Sequence, residues 1–266
     1  MNIPNIGLGT YRLTGDNAIT AVSTGLELGY RHIDTAQLYD NEAEVGTAIA
    51  TSGVARDDIF VTTKVWIDKL NRNALISSLK ESLEKLKLSQ VDLVLVHWPS
   101  PDNAVPVQEY MDAIAEAKAQ GLTKLIGVSN FTNAILQQAI DVVGVGEIAT
   151  NQIEVHPYLQ NRKAIEFARS QGIQITAYMP LAVGKVMDDP LLIQIGERHK
   201  FGPAQIALAW LLQQGFAVIP SSSKRFHQEL NLQARGITLT EDEMSQIATL
   251  EENYRIASPD FAPEWD

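Results

Sequence analysis

The sequence predicts an α/β fold, a (β/α)8 TIM barrel with an extra C-terminal helix and an irregular tail. Three observations predict it. Short apolar runs alternate with longer amphipathic ones along the whole chain, and the alternation repeats about eight times over roughly 250 residues, the size of a (β/α)8 unit. Several runs are continuously apolar rather than alternating, as in parallel strands covered on both faces. Glycines recur between the end of a helical stretch and the next strand, where a left-handed cap is required.

The candidate strands, in order, are Asn5–Gly9, Arg31–Thr35, Ile59–Trp66, Asp92–Trp98, Leu125–Ser129, Thr150–Val155, Gln174–Met179 and Ala217–Pro220. Between them lie helical stripes such as Leu75, Leu79, Leu83 and Leu86, or Ala204, Ala207, Leu208, Leu211 and Leu212. Gly29, Gly53, Gly121, Gly172 and Gly215 are the predicted caps. Right-handed crossovers then close the strands into a barrel. The rival is a doubly wound sheet with a dinucleotide loop after its first strand. Here Gly7-Leu8-Gly9 runs on into Thr10-Tyr11-Arg12, without the Gly-x-Gly-x-x-Gly that such a loop needs. Thr240-Glu241-Asp242-Glu243 reads as a capping box that opens one surplus amphipathic helix running to Leu250. The stretch from Ser258 to Trp265 is an irregular tail. No boundary or repeat divides the chain, so the expectation is one barrel domain over residues 1–266.

Composition narrows the function classes. With 45% hydrophobic and 20% charged residues the chain is ordinary for a globular protein, and no apolar tract is long enough to span a bilayer. The net charge of −11 disfavours a general nucleic-acid or anionic-membrane surface but allows a local basic pocket for phosphate. The absence of cysteine rules out disulfides and thiolate metal sites. Met-Asn-Ile-Pro-Asn at the start lacks the pattern of a secretion signal, so the expected location is cytoplasmic.

Three strand-like stretches end in polar residues that an interior does not favour: Ile33-Asp34 leading to Tyr39, Val61 to Lys64, and Leu93 to His97-Trp98. The carboxyl ends of barrel strands surround the active site, so Asp34, Tyr39, Lys64 and His97 are expected to converge there. A buried Lys64 needs a partner, and Asp34 on the adjacent strand is the obvious one. A neighbouring ammonium stabilises phenolate, so Tyr39 is expected to have a lowered pKa and to act as an acid, with His97 orienting a carbonyl oxygen. One such residue alone is ordinarily a packed or salt-bridged strand end; all four together point to proton transfer. The other histidines, His32, His156, His199 and His227, lack metal-ligand spacing, and Ser221-Ser222-Ser223 has no nearby base, so no metal and no serine nucleophile are expected.

The motifs Gly7-Leu8-Gly9-Thr10, Gly29-Tyr30-Arg31-His32-Ile33-Asp34-Thr35-Ala36-Gln37-Leu38-Tyr39-Asp40-Asn41-Glu42, Thr63-Lys64, Leu95-Val96-His97-Trp98-Pro99, Ile126-Gly127-Val128-Ser129-Asn130-Phe131 and Asn151-Gln152-Ile153-Glu154 resemble the aldo-keto reductase family. Within it the chain is similar to the bacterial 2,5-diketo-D-gluconate reductase B (methylglyoxal reductase-like) group. The resemblance implies a barrel that holds NADPH, with hydride passing from the nicotinamide to a carbonyl carbon and Tyr39 giving the proton. Asp34 and Lys64 would tune Tyr39, and His97 would position the substrate. The resemblance also assigns cofactor contacts to Thr10, Asp34, Ser129, Asn130, Gln152, Tyr178, Leu181, Ser221, Ser222 and Asn231.

The anion end departs from the family pattern. Where many relatives carry Ile-Pro-Lys-Ser and an Arg six residues beyond that Lys, this chain has Ser221-Ser222 after Pro220 and His227 at the Arg position. Lys224 and Arg225 are expected to supply the charge for a 2′-phosphate instead. Met179 stands where relatives often place a Ser near the pyrophosphate, which shifts that contact toward the backbone around Leu181. Tyr11, Trp66, Trp98, His97 and Trp265 are the expected substrate contacts, an aromatic pocket behind short loops that suits small polar carbonyls. The expected assembly is a monomer acting on a small molecule, with no nucleic-acid or membrane partner. Two other classes are distinguishable: a nucleotide-sensing partner protein with little turnover, which would bind NADPH without oxidising it, and a phosphate-binding barrel isomerase, whose tryptophan fluorescence NADPH would not quench.

Overall fold

The computed structural model describes residues 2–266. All eight strands form: β1 Leu8–Gly9, β2 His32–Asp34, β3 Phe60–Val65, β4 Val91–Val96, β5 Thr123–Ser129, β6 Ile148–Glu154, β7 Gln174–Tyr178 and β8 Ala217–Val218. They pair in sequential order, every pair parallel. The sheet closes on itself through a parallel bridge from Ile6 to Val218, with Gly7 N donating to Val218 O at 2.8 Å and Val218 N to Asn5 O at 2.9 Å.

Each strand is followed by helix: α1 Gly15–Leu28, α2 Glu42–Thr51, α3 Arg72–Leu86, α4 Val107–Ala119, α5 Asn133–Val143, α6 Arg162–Ser170, then α7 Pro190–His199 and α8 Pro203–Gln213 between β7 and β8, and finally α9 Arg225–Gln233 and α10 Glu241–Ala248. The expectation of one surplus helix is corrected to two. α10 forms as predicted, with the Thr240 hydroxyl and the Glu243 carboxylate capping reciprocally. The second, α7, has its own start signals: Asp189 accepts from Leu191 N and Leu192 N, and Pro190 fits the first helical position, where its missing N–H costs nothing. A second proline, Pro203, opens α8 only four residues after α7 ends.

The predicted stripe on α3 is buried at all four leucines. Gly29, Gly53, Gly121, Gly172 and Gly215 all have positive φ, and Gly29 (φ 101°) caps α1 by donating to the carbonyls of its last turn.

Strand alternation sorts the side chains. Ile33, Val61, Val94, Val96, Ile126, Val128, Ile175 and Val218 join the helices in the outer core, while Phe60, Leu93, Leu95 and Ala217 form a separate inner cluster plugged by Ile3. The period of two then carries the inner set onward, from Phe60 through Thr62 to Lys64 and from Leu93 through Leu95 to His97. The inner layer is tight: a Cβ at Gly127 would lie 2.7 Å from the Leu95 side chain and 2.8 Å from Thr150 O. The helix layer is equally close between α2 and α3, where a Cβ on Gly46 would lie 2.5 Å from Lys85 O and 2.6 Å from Leu86 O. Backbone cannot yield as a side chain can, so Gly46→Ala is expected to destabilise by about 2–3 kcal/mol. Urea denaturation with an unchanged midpoint would contradict this packing.

Candidate active site

Asp34, Lys64 and His97 come together at the carboxyl ends of β2, β3 and β4, and Tyr39 joins them from a short 3₁₀ turn, Gln37–Tyr39, after β2. The loop carrying Tyr39 is held by Asn41, a fully buried amide that the sequence reading did not single out. Asn41 Nδ2 donates to Thr10 O (2.9 Å) and Leu13 O (2.8 Å), and its Oδ1 accepts from the Thr35 hydroxyl (2.7 Å). One side chain thereby ties the loop after β2 to the loop after β1.

The Lys64 ammonium is fully buried and uses all three of its donors: to Asp34 Oδ1 at 2.5 Å, Thr35 O at 2.9 Å and the Tyr39 hydroxyl at 3.3 Å. Burial alone would push its pKa down, but Asp34 and Tyr39 outweigh burial and hold it above the ordinary lysine value, so it is a cation at neutral pH. Asp34 is completed by Gln152 Nε2, which donates to Oδ2 at 2.8 Å. The Tyr39 oxygen accepts from Lys64 and, among the described residues, its proton has no acceptor, which leaves the O–H to the cavity that Tyr39 lines.

The expected lowering of the Tyr39 pKa is corrected. Burial of the hydroxyl pushes it up, and the Lys64 ammonium only partly pulls it back, against the opposing charge of Asp34. Tyr39 therefore remains protonated at neutral pH. Burial, and after it the Lys64 charge, holds the His97 imidazole well below the ordinary histidine range, so the ring is neutral. Among the described residues its Nδ1, which is buried, has no partner. Protonation at Nε2 strands only a lone pair there, where the other tautomer would strand an N–H, so we assign the hydrogen to Nε2.

A cavity of ≈ 200 Å³ holds Tyr39, His97, Asp34, Thr10, Tyr11 and Trp98 together with Ser129, Asn130, Gln152, Tyr178 and Ser221. The last group is knitted together. The Ser129 hydroxyl donates to Gln152 O (2.8 Å), Asn130 Nδ2 donates to His97 O (3.0 Å) and Ser129 Oγ (3.1 Å), and the Tyr178 hydroxyl donates to Asn130 Oδ1 (2.7 Å). Asn130 sits in the left-handed region (φ 62°), a conformation asparagine tolerates. Leu38, Met179 and Ala257 also line the cavity, and the sequence reading did not name them as wall residues. Larger grooves of ≈ 610 and ≈ 630 Å³ flank the C-terminal tail, but none of Asp34, Tyr39, Lys64 or His97 lines them.

The cavity shares Tyr11, Met179, Pro180 and Ser221 with a second groove of ≈ 440 Å³, whose further lining includes Arg12, Leu181, Ser222, Lys224 and His227. Four predicted contacts fall elsewhere. Arg225 turns to Glu27 (2.9 Å) and Glu229 (3.3 Å) and lines neither opening. Asn231 is buried beside Tyr30, away from both. Trp66 stands behind His97, its ring edge-on at 5.0 Å, and Trp265 stands behind Trp98 with the Arg255 guanidinium 3.7 Å over its ring. Arg12 was missed because one arginine in a loop carries no periodicity; it reaches the groove through a left-handed turn (φ 66°).

The closed barrel thus carries this set of polar residues together at its carboxyl-terminal mouth. The chain matches the aldo/keto reductase family over residues 5–252 and belongs to it. It is 54% identical to methylglyoxal reductase DkgB of Escherichia coli O157:H7 over the full length of both chains. It is 37% identical to aldo/keto reductase slr0942 of Synechocystis, covering 97% of this chain and 89% of that one. A solved structure provisionally named a 2,5-diketo-D-gluconic acid reductase B superposes with a TM-score of 0.96 at 43% identity, covering 99% of this chain and 94% of that one. The protein is therefore an oxidoreductase that reduces carbonyl groups with a nicotinamide cofactor.

Replacing Lys64 by Met keeps the side-chain bulk but leaves the Asp34 carboxylate buried without its cation. Lys64→Met is expected to cost about 3–5 kcal/mol of folding stability. Chemical denaturation at neutral pH measures this, and a loss well below that range would mean the pair is not the buried anchor described.

Proposed function

We propose that the protein uses NADPH to reduce small aldehydes and keto acids or keto sugars, of the methylglyoxal and 2,5-diketo-D-gluconate kind, to alcohols. The observation that carries this reading is Tyr39: a hydroxyl that accepts a hydrogen bond from a buried ammonium and lines a small cavity. The names of the Escherichia coli relative and of the 2,5-diketo-D-gluconic acid reductase structure support the substrate range.

The residues present fit a nicotinamide dinucleotide. Ser129, Asn130 and Gln152 place amide and hydroxyl groups where a carboxamide can be held, beside the Tyr178 ring as a stacking face. The adjoining groove offers Arg12, Lys224 and the Ser221 and Ser222 hydroxyls to phosphate oxygens. When bound, the cofactor supplies the hydride.

The chain's own residues then handle the carbonyl oxygen. His97, neutral with its hydrogen on Nε2, donates a hydrogen bond that orients it. Tyr39 donates its proton as negative charge grows on that oxygen. The Lys64 ammonium stabilises the phenolate left behind, and Asp34 holds that ammonium in place, with Gln152 fixing Asp34 in turn. Leu38, Trp98 and Ala257 supply apolar wall around the reacting group.

Tyr39→Phe is expected to lower kcat by about 10²–10⁴-fold. NADPH binding, followed by quenching of tryptophan fluorescence, should change little, and near-normal turnover would refute Tyr39 as the donor. The pH dependence has a definite sign. Reduction needs protonated Tyr39, so kcat/KM is expected to stay level through neutrality and to fall only as pH rises past the ordinary tyrosine value of about 10. Because His97 is already neutral there, no inflection should occur near pH 6.5.

Lys224 lines the groove while Arg225 is engaged by Glu27, so the two neighbouring cations should behave differently. Lys224→Ala is expected to narrow the ratio of NADPH to NADH affinity about tenfold, as loss of one charge-assisted contact does. Arg225→Ala should leave the ratio in place. Fluorescence titration of both cofactors decides, and the opposite pattern would return the role to Arg225.

A further inference from the structure

Glu154 closes β6 as a fully buried carboxylate, and nothing in the proton-transfer group uses it. Both of its oxygens are nevertheless engaged. Oε1 accepts from Ile256 N at 2.8 Å and from His156 Nε2 at 2.9 Å, and Oε2 accepts from Ala257 N at 2.7 Å. A carboxylate can only accept, so the buried His156 ring presents its Nε2–H to Glu154. The strand-end backbone joins in: Glu154 O accepts from Asn161 Nδ2 (2.6 Å), whose Oδ1 accepts from the Arg255 guanidinium (2.8 Å). Three consecutive tail residues, Arg255 to Ala257, are thus fastened to one strand end over about a hundred residues of intervening chain.

What they fasten matters for the cavity. Ala257 is a wall residue. Four residues later Phe261 stands edge-on to Trp66 at 5.9 Å and to Trp98 at 5.6 Å, and Trp265 stands edge-on to Trp98 at 5.9 Å. These tail rings are the support behind His97 and Trp98. Apart from the anchor, among the described residues the hydrogen bond joining residues 256–266 to the body is Asn133 N to Asp266 Oδ2 at 2.9 Å.

We infer that Glu154, oriented by His156, is a positioning residue for the carbonyl substrate: it clamps the backbone at Ile256 and Ala257 and thereby sets the tail wall of the cavity. The inference rests on the carbonyl-reductase reading for its kinetic consequence but not for its structural one. A buried anion is retained here because two tail N–H groups and an imidazole N–H satisfy it, and a neutral side chain of the same shape cannot accept from all three.

Glu154→Gln tests this. The amide keeps one acceptor and turns the other into a donor facing a tail N–H, which releases the clamp without changing volume. The KM for methylglyoxal is expected to rise about tenfold with kcat within about twofold, the signature of lost uniform binding. NADPH affinity by fluorescence should be unchanged. Arg255 is the sole lysine or arginine after Lys224, Arg225 and Arg235, so trypsin cutting after it releases residues 256–266, and this cut should accelerate in the variant. Unchanged KM and unchanged cleavage in folded Glu154→Gln would overturn the inference. A parallel loss of kcat and NADPH affinity would do the same, marking a general disturbance of the barrel. If Glu154→Gln does not fold, Ile256→Pro deletes the hydrogen bond from the tail side, and the KM effect alone decides. If the wild-type protein turns over no carbonyl, the proposed activity fails and the tryptic cut by itself decides the clamp.

Discussion

A lysine ammonium with no access to water is costly, and the mouth of this barrel is arranged around meeting that cost at Lys64. Burying such a charge without partners would cost several kcal/mol. Lys64 meets a carboxylate, a backbone carbonyl and a phenol, one for each N–H. Each acceptor comes from the segment that leaves β2, so the pairing of β2 with β3 is the precondition for the site. Asn41 keeps that segment closed onto the first loop, and Gln152 reaches across from β6 to complete Asp34. The stability of the mouth and the chemistry proposed for it draw on the same interaction, since the ammonium that must be satisfied is also the charge that would stabilise a phenolate.

Burial has a second consequence. The same exclusion of water that makes Lys64 demanding pushes Tyr39 up and His97 down, leaving two neutral hydrogen-bond donors side by side at neutral pH. A simple pairing argument predicts the reverse for Tyr39, because it counts the ammonium and omits desolvation. In this site desolvation is the larger effect, and a protonated tyrosine is the form that the proposed proton transfer needs.

The cleft continues from this mouth into a groove whose cations are not contiguous in sequence. Arg12 and Lys224 lie along it from opposite ends of the chain, while Arg225, adjacent to Lys224, is held outward by Glu27 on α1. Successive residues entering a helix diverge by about 100° around its axis, so neighbours in sequence need not share a face. The tail shows the same dependence on distant chain: its irregular sequence has no period to read, and its course is decided by where Glu154 and the tryptophans lie.

The sequence by itself determined the barrel, because strand and helix periods, glycine caps and the order of eight apolar runs are local patterns, and local patterns survive without knowledge of contacts. It also determined that Asp34, Tyr39, Lys64 and His97 meet, because parallel strands in sequential order bring their carboxyl ends to one side. Two things escaped it even so: the extra helix α7, whose start signals at Asp189-Pro190 lie in a stretch long enough to be taken for one element with α8, and the staple at Asn41. Only the tertiary structure decided which cations face the groove, which aromatic rings line the cavity and which merely support it, and in which direction the Tyr39 pKa moves. Those are questions of side-chain direction and dehydration, which depend on what packs against a residue from elsewhere in the chain and leave no trace in the spacing of its neighbours.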